Sequence, residues 1–199
     1  MANMSVLRIK RELGEVMRGD EIVQGMIKIE LLNDNWTDLR GEITGPKDTP
    51  YEGGKFALEI KVPETYPFSP PKVRFTTRIW HPNISIATGT ICRDILKDNW
   101  AAAMTLRTVL LSLQALLSAA QPDDPQDACI AYQYKAKHDM FQLTAKHWTN
   151  VYAGGPHAST ECNTKVQYLK EMGIDEHEAR TILSKENWNL EGATERLFH

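Results

Sequence analysis

The sequence predicts an α+β fold: an antiparallel four-stranded sheet flanked by helices, followed by a small three-helix bundle. Short β-forming runs gather in the first part of the chain with brief turns between them, and helical periodicities stand before and after them. A stretch of small residues, 153–159, then separates this part from three further helical patterns.

Val6, Ile9, Leu13, Val16 and Met17 recur at helical spacing with Arg8, Lys10, Arg11, Glu12 and Glu15 between them, an amphipathic first helix. Met26–Leu32, Asp38–Ile43 and Lys55–Val62 are the first three strands, parted by Asn33-Asp34-Asn35 and Gly45-Pro46-Lys47-Asp48. Connections that short favour an antiparallel meander. Pro63, Pro67, Pro70 and Pro71 follow. Proline fixes φ and donates no ladder bond, so this segment is irregular or an edge, and Tyr66-Pro67 is a candidate cis peptide. Lys72–Phe75 supplies the fourth strand. After irregular backbone from His81 to Asn99, Thr105 can cap Leu106–Leu117, which is apolar on most faces and therefore central. Pro122-Asp123-Asp124-Pro125 breaks that helix, and Gln126–Lys137 and Asp139–Val151 read as two more.

Ala153-Gly154-Gly155-Pro156-His157-Ala158-Ser159 has linker composition, dividing a first domain, 1–155, from a second, 160–199. In the second, Val166, Leu169 and Met172 serve one helix, and Asp175 with Glu178 forms a capping pair ahead of Ala179, Ile182 and Leu183. Asn189 caps the last, whose apolar stripe is Leu190, Ala193, Leu197 and Phe198; Trp188 is the expected anchor of this small core.

The net charge of −3 argues against a general nucleic-acid binder. No apolar h-region follows Met1, so no secretory signal is expected. Arg107, Thr108, Ser112 and Gln114 interrupt the longest apolar stretch, which is unsuited to a bilayer. The expectation is a monomer in the cytoplasm, and also in the nucleus, with no membrane partner. Cys92, Cys129 and Cys162 are odd in number and far apart, which fits neither a disulfide framework nor a zinc site, so no metal is expected. Reduced thiols then leave one cysteine free for chemistry.

His81-Pro82-Asn83 lies just upstream of Cys92 on backbone without periodicity. A loop cysteine suits a functional role, and the alternative is a buried structural thiol. A cysteine protease built from Cys92, His81 and Asn83 is disfavoured: two consecutive-turn residues would have to converge on the thiol from nearly one backbone site. His138, His147 and His157 lie downstream without a supporting motif.

Tyr66-Pro67-Phe68-Ser69-Pro70-Pro71, Trp80-His81-Pro82-Asn83, Ile91-Cys92, Trp100 and Pro122-Asp123-Asp124-Pro125 resemble the ubiquitin-conjugating enzyme family in order and spacing, across residues 4–153. The tail resembles a ubiquitin-associated (UBA) domain. The resemblance implies that Cys92 accepts ubiquitin as a thioester from the ubiquitin-activating enzyme and passes it to a lysine, building polyubiquitin chains. It implies no bound cofactor, since ATP is consumed by the activating enzyme. An ordinary thiol, with pKa about 8.5, suffices because the incoming thioester is already activated.

Within that resemblance, Asn83 offers an amide N–H to the tetrahedral oxyanion or else braces its loop. His81 and Pro82 are structural. Asp124 matches the acidic position that orients or desolvates the attacking lysine; a carboxylate raises an ammonium's pKa, so its role is positioning or gating. Otherwise Asp123 and Asp124 are turn residues. Arg8, Lys10 and Arg11 match the docking site for the activating enzyme, against the alternative of a solvated face. Phe68 and Ala101-Ala102-Ala103 match positions that meet ubiquitin ligases, against the alternative of Phe68 packed inward. Met172-Gly173-Ile174, with Leu197 and Phe198, matches the surface that meets ubiquitin's apolar patch, though the family usually has an aromatic where Ile174 stands. Met172 and Ile174 closing the helical core is the alternative there. Arg93, where an aliphatic residue is common, sets a positive charge beside the thiol. A catalytically inactive ubiquitin-binding adaptor is the second functional reading, but it has no chemical need for Cys92 with Asn83 and Asp124.

Overall fold

Alternating apolar and polar side chains give the sheet one dry face and one charged face. The computed structural model describes residues 3–20, 25–91 and 96–199. β1 (Ile27–Leu32), β2 (Asn35–Thr44), β3 (Lys55–Lys61) and β4 (Lys72–Phe75) pair antiparallel in chain order. Leu39 and Ile43 of β2 and Phe56, Leu58 and Ile60 of β3 are buried on the inner face. On the other face Arg40 pairs with Glu30 at 3.3 Å and Arg74 with Glu59 at 2.8 Å. Exposed pairs of this kind add little stability, but they keep the face wet. β2 begins at Asn35, earlier than the expected Asp38, because Asn33 and Asp34 alone make the turn. Their φ values of 52° and 55° are those of a two-residue hairpin turn, which asparagine and aspartate tolerate. Tyr66–Pro67 is cis.

Helix α1 (Met4–Arg18) is capped by Asn3, whose side chain accepts from Ser5 N, and lays Ile9, Leu13 and Val16 into the core. In α2 (Leu106–Ser118), capped by Thr105, Leu106, Leu110 and Leu113 are fully buried behind the sheet. Glu12 binds these parts together. Its carboxylate is buried and accepts from Tyr66 OH at 2.7 Å, Leu106 N at 2.7 Å and Arg8 Nε at 3.1 Å. Helix α3 (Ala128–Ala136) starts two residues later than Gln126, because Gln126 N and Asp127 N both donate to Pro82 O instead of entering a helix. Asp127 then caps it through Cys129 N and Ile130 N. Helix α4 (His138–Ala153) ends at Gly154 in the left-handed region.

The C-terminal bundle is α5 (Thr160–Glu171), α6 (Glu176–Lys185) and α7 (Leu190–Phe198), capped by Ser159, Asp175 and Asn189. Cys162, Val166, Leu169, Ala179, Leu183, Trp188 and Ala193 form its core, and Met140 and Leu143 of α4 pack against it. The bundle is therefore docked on the first domain. Polar side chains run along the seam: Trp188 Nε1 donates to Thr144 Oγ1 and Trp148 Nε1 to Ser184 Oγ, each at 2.9 Å. The stretch with linker composition is packed at Ala153 and Gly155 and exposed at Pro156, His157 and Ala158. Gly155 is buried and its carbonyl accepts from Asn150 Nδ2 at 2.7 Å. Gly53 lies at φ 81°, and a Cβ there would stand 2.5 Å from Pro156 Cδ. Gly53 and Gly155 are small because chains pass close to them, whereas Gly154 has open space and supplies the positive φ that ends α4.

Candidate active site

The His81-Pro82-Asn83 turn is buried, and its side-chain polar groups have hydrogen-bond partners. His81 lies at Nε2 3.0 Å from Leu116 O, while Nδ1 accepts from Asn83 N at 3.0 Å. That pairing assigns the proton to Nε2. Burial pushes His81 down to about 4, so the ring is neutral and structural at ordinary pH. Asn83 Oδ1 accepts from Gln121 N at 2.8 Å, and its Nδ2 donates to Gln121 O at 2.8 Å and Asp124 O at 2.9 Å. Both amide hydrogens are engaged, so Asn83 clamps the 121–124 turn in this state. The turn brings Asp124 to the site through its backbone carbonyl, with its residue exposed.

From Asn83 the chain doubles back as a narrow loop. Ile84 bridges Ile91, and Ser85 N donates to Thr90 O at 2.9 Å. Gly89, at φ 74°, lets this loop touch β4: its carbonyl accepts from Phe75 N, and a Cβ there would meet Phe75 O at 1.8 Å. The loop thus returns Ile91 beside Ile84, next to Asn83. Cys92 and Arg93 lie outside the described residues. The other two thiols are less accessible to solvent than a surface thiol. Cys162 is fully buried and Cys129 half-buried, with Sγ 3.9 Å from Lys185 O; burial pushes both thiols up.

Arg8, Arg11, Phe68 and Ala102, matched to two different partners, line one groove, and Lys10 does not. Arg8 Nη2 donates to Ala102 O and Met104 O at 3.1 and 3.0 Å, so it pins the alanine loop to α1. Lys10 sits over the Trp36 ring at 5.1 Å, and Arg11 is exposed, 3.8 Å from Glu15. Phe68 is 77% exposed; the inward alternative does not hold, because Tyr66 and Trp100 fill that interior and Trp100 Nε1 donates to Pro67 O. Met4, Leu7, Arg11 and Phe68 line a common groove, with Ala101 and Ala103 exposed nearby. Glu12 was legible only as a charge in phase with Ile9, Leu13 and Val16. A carboxylate on a buried helix face needs partners, and that phase was the signal for it.

In the bundle, Met172 and Phe198 are 43% and 51% exposed, while Ile174 and Leu197 are half-buried against the core. Gly173, at φ 92°, turns the chain between them with open space around it. Tyr168, which no pattern singled out, is also exposed and lines a shallow groove with Leu190, Thr194 and Phe198. Among the described residues no cluster of His, Cys, Asp or Glu could hold a metal ion, and no helix is long and apolar enough to cross a membrane.

Residues 8–149 match the family model described as ubiquitin-conjugating enzyme. The chain is 78% identical over 198 residues to ubiquitin-conjugating enzyme E2-22 kDa of Drosophila melanogaster, covering 100% of both. It is 61% identical to ubiquitin-conjugating enzyme E2 K of Homo sapiens, covering 100% of this chain and 99% of that one. A solved E2 domain of a Toxoplasma gondii ubiquitin-conjugating enzyme superposes with a TM-score of 0.68 at 46% identity, over 74% of this chain and 97% of that chain.

Proposed function

Because the chain belongs to the ubiquitin-conjugating enzyme family, we propose that Cys92 is the thiol on which it carries ubiquitin. One observation supports this choice above others: the loop from Asn83 to Ile91 leads directly to Cys92, while Cys162 is buried, Cys129 is half-buried, and burial pushes both thiols up.

The thiolate of Cys92 attacks the thioester carbonyl presented by the activating enzyme, whose own cysteine leaves as thiolate. A neutral lysine amine then attacks the Cys92 thioester. The C–N bond forms, the C–S bond breaks, and the ammonium proton passes to solvent. Burial keeps His81 neutral, so it takes no proton in either step. Asn83 serves first as a clamp on the 121–124 turn that carries Asp124. For it to meet the oxyanion, one Nδ2 hydrogen must leave a carbonyl it already binds. The activating enzyme and ligases fit the groove beside α1, where Arg11 and Phe68 are exposed, and ubiquitin fits the bundle at Met172 and Phe198. Formation of polyubiquitin chains follows from an enzyme that holds ubiquitin at both places.

Incubation with activating enzyme, ATP and ubiquitin, followed by a non-reducing gel, tests the assignment. A reductant-sensitive band is expected in wild type and in Cys129→Ser, and no band in Cys92→Ala. Persistence of the band in Cys92→Ala would sink the choice of thiol. Absence of a band in wild type would favour the ubiquitin-binding adaptor.

A further inference from the structure

Gln133 of α3 is buried between the first domain and the C-terminal bundle. Its Oε1 accepts the indole N–H of Trp80 at 2.8 Å. Its Nε2 donates to the Ser184 carbonyl at 3.1 Å and to Asn187 Oδ1 at 3.0 Å. The orientation of the amide is forced, since an indole N–H can only donate and a carbonyl can only accept. Every hydrogen of that amide is therefore used, half of the group facing each domain.

Both ends of this bridge matter. Trp80 immediately precedes His81, is fully buried, and packs on Trp148 with ring centroids 5.2 Å apart. Its carbonyl accepts from Tyr51 OH at 2.7 Å. At the other end, Asn187 and Trp188 hold φ values of 52° and 62° in the turn between α6 and α7. Left-handed residues in succession persist only where surrounding contacts over-determine them. Gln133 supplies one such contact from the opposite domain.

We propose that Gln133 is a positioning residue for ubiquitin transfer, letting the docked bundle set the His81-Pro82-Asn83 turn through Trp80. Without its acceptor, the buried indole N–H is left unpaired, a state costly enough that the ring re-seats to find a partner. The backbone of Trp80 is continuous with the turn whose Asn83 clamp consists of hydrogen bonds of 2.8–2.9 Å. Small displacements there misplace the groups that receive lysine, and rate is sensitive to such misplacement. The inference rests on Cys92 as the carrier.

The test uses full-length Gln133→Met, similar in length but without the amide, and Asn187→Gly, which accommodates positive φ and removes only the acceptor. Four quantities are read: the indole N–H resonances of Trp80 and Trp148, the side-chain amide resonances of Asn83, the rate of thioester loading, and the discharge of preloaded enzyme to free lysine. In Gln133→Met the Trp80 and Asn83 signals move, loading is unchanged, and discharge falls about three- to tenfold. Asn187→Gly changes discharge in the same direction by a smaller factor. Unchanged discharge with a displaced Trp80 signal overturns the proposal, as does an Asn83 signal that stays in place. Loading and discharge falling together also overturn it, by indicating general loss of structure. A wild-type enzyme that never loads Cys92 is a separate result, and it removes the carrier assignment along with this one.

Discussion

Arg180 donates through Nε to Nε2 of His147 at 3.0 Å across the seam between the domains. That bond places the imidazole's own proton on Nδ1, a buried atom with no hydrogen-bond partner among the described residues. The ring meets Trp188 edge-on, with centroids 5.0 Å apart. Burial, and then the Arg180 charge, push His147 down to about 4. Protonation would set two cations together in the seam.

Acid should therefore destabilise the docked protein earlier than carboxylate titration alone would. Both His81 and His147 fall to about 4 when folded, below the ordinary value of about 6.5. The unfolded chain takes up these protons first. The stability they confer is complete above about pH 6.5 and is lost as pH falls from there toward 4, by up to about 1.4 kcal/mol per pH unit for each ring. Urea melts at stepped pH should show a shallower decline for His147→Gln, whose carbonyl can still accept from Arg180. An identical decline in both proteins would refute the argument.

Glu12→Ala should cost roughly 3 kcal/mol, because the buried Tyr66 hydroxyl and Leu106 N–H lose their acceptor together. Burial, the largest cause of its raised pKa, remains in the variant and holds that hydroxyl protonated above its usual range, so it cannot relieve the loss by ionising. The urea midpoint should fall with an unchanged slope. A loss under about 1 kcal/mol would mean that α1 and α2 do not depend on this hub.

Thr144→Val should strand the Trp188 indole N–H and destabilise the seam by about 1–3 kcal/mol. Met172 and Phe198 lie on exposed surface of the bundle, so the ubiquitin binding proposed there should be unchanged in a titration. Loss of that binding would show that the seam and the proposed ubiquitin surface are not separate.

Phe68→Ala should leave stability within about 0.5 kcal/mol, since the ring is mostly exposed. Discharge stimulated by a ligase should drop about tenfold or more, while unstimulated discharge holds. Equal rates with and without the ring, in the presence of ligase, would remove Phe68 from that surface.

The strands and the central helix were legible because their burial follows local periodicity. Leu106, Leu110 and Leu113 announce a buried helix, and Phe56, Leu58 and Ile60 a strand with one dry face. The irregular His81-Pro82-Asn83 turn was legible as a motif, but the use of Asn83's two hydrogens was not, since their acceptors lie 38 and 41 residues away. The docked tail was hidden for the same reason. Gln133, Thr144, His147 and Ser184 are polar residues on helices, and nothing in their spacing shows that another domain will bury them. At 153–159 composition shows small residues without their separate causes: a Cβ at Gly155 would stand 2.8 Å from Thr149, whereas Gly154 has open space around it and supplies a positive φ. Arg8 looked like one of three equivalent cations, yet carbonyls of a distant loop occupy it.

The contact of Gly53 with Pro156 bears on how the bundle works during transfer. A free tether would let a bound ubiquitin sample many separations from the thioester, with a local concentration set by tether length. In the docked arrangement, with Met140 and Leu143 against the bundle core, reach is decided by orientation. Lysines of a tail-bound ubiquitin would meet the reactive carbonyl only if that single geometry presents them. Selectivity among lysines can then arise from architecture, without any residue that recognises a particular one.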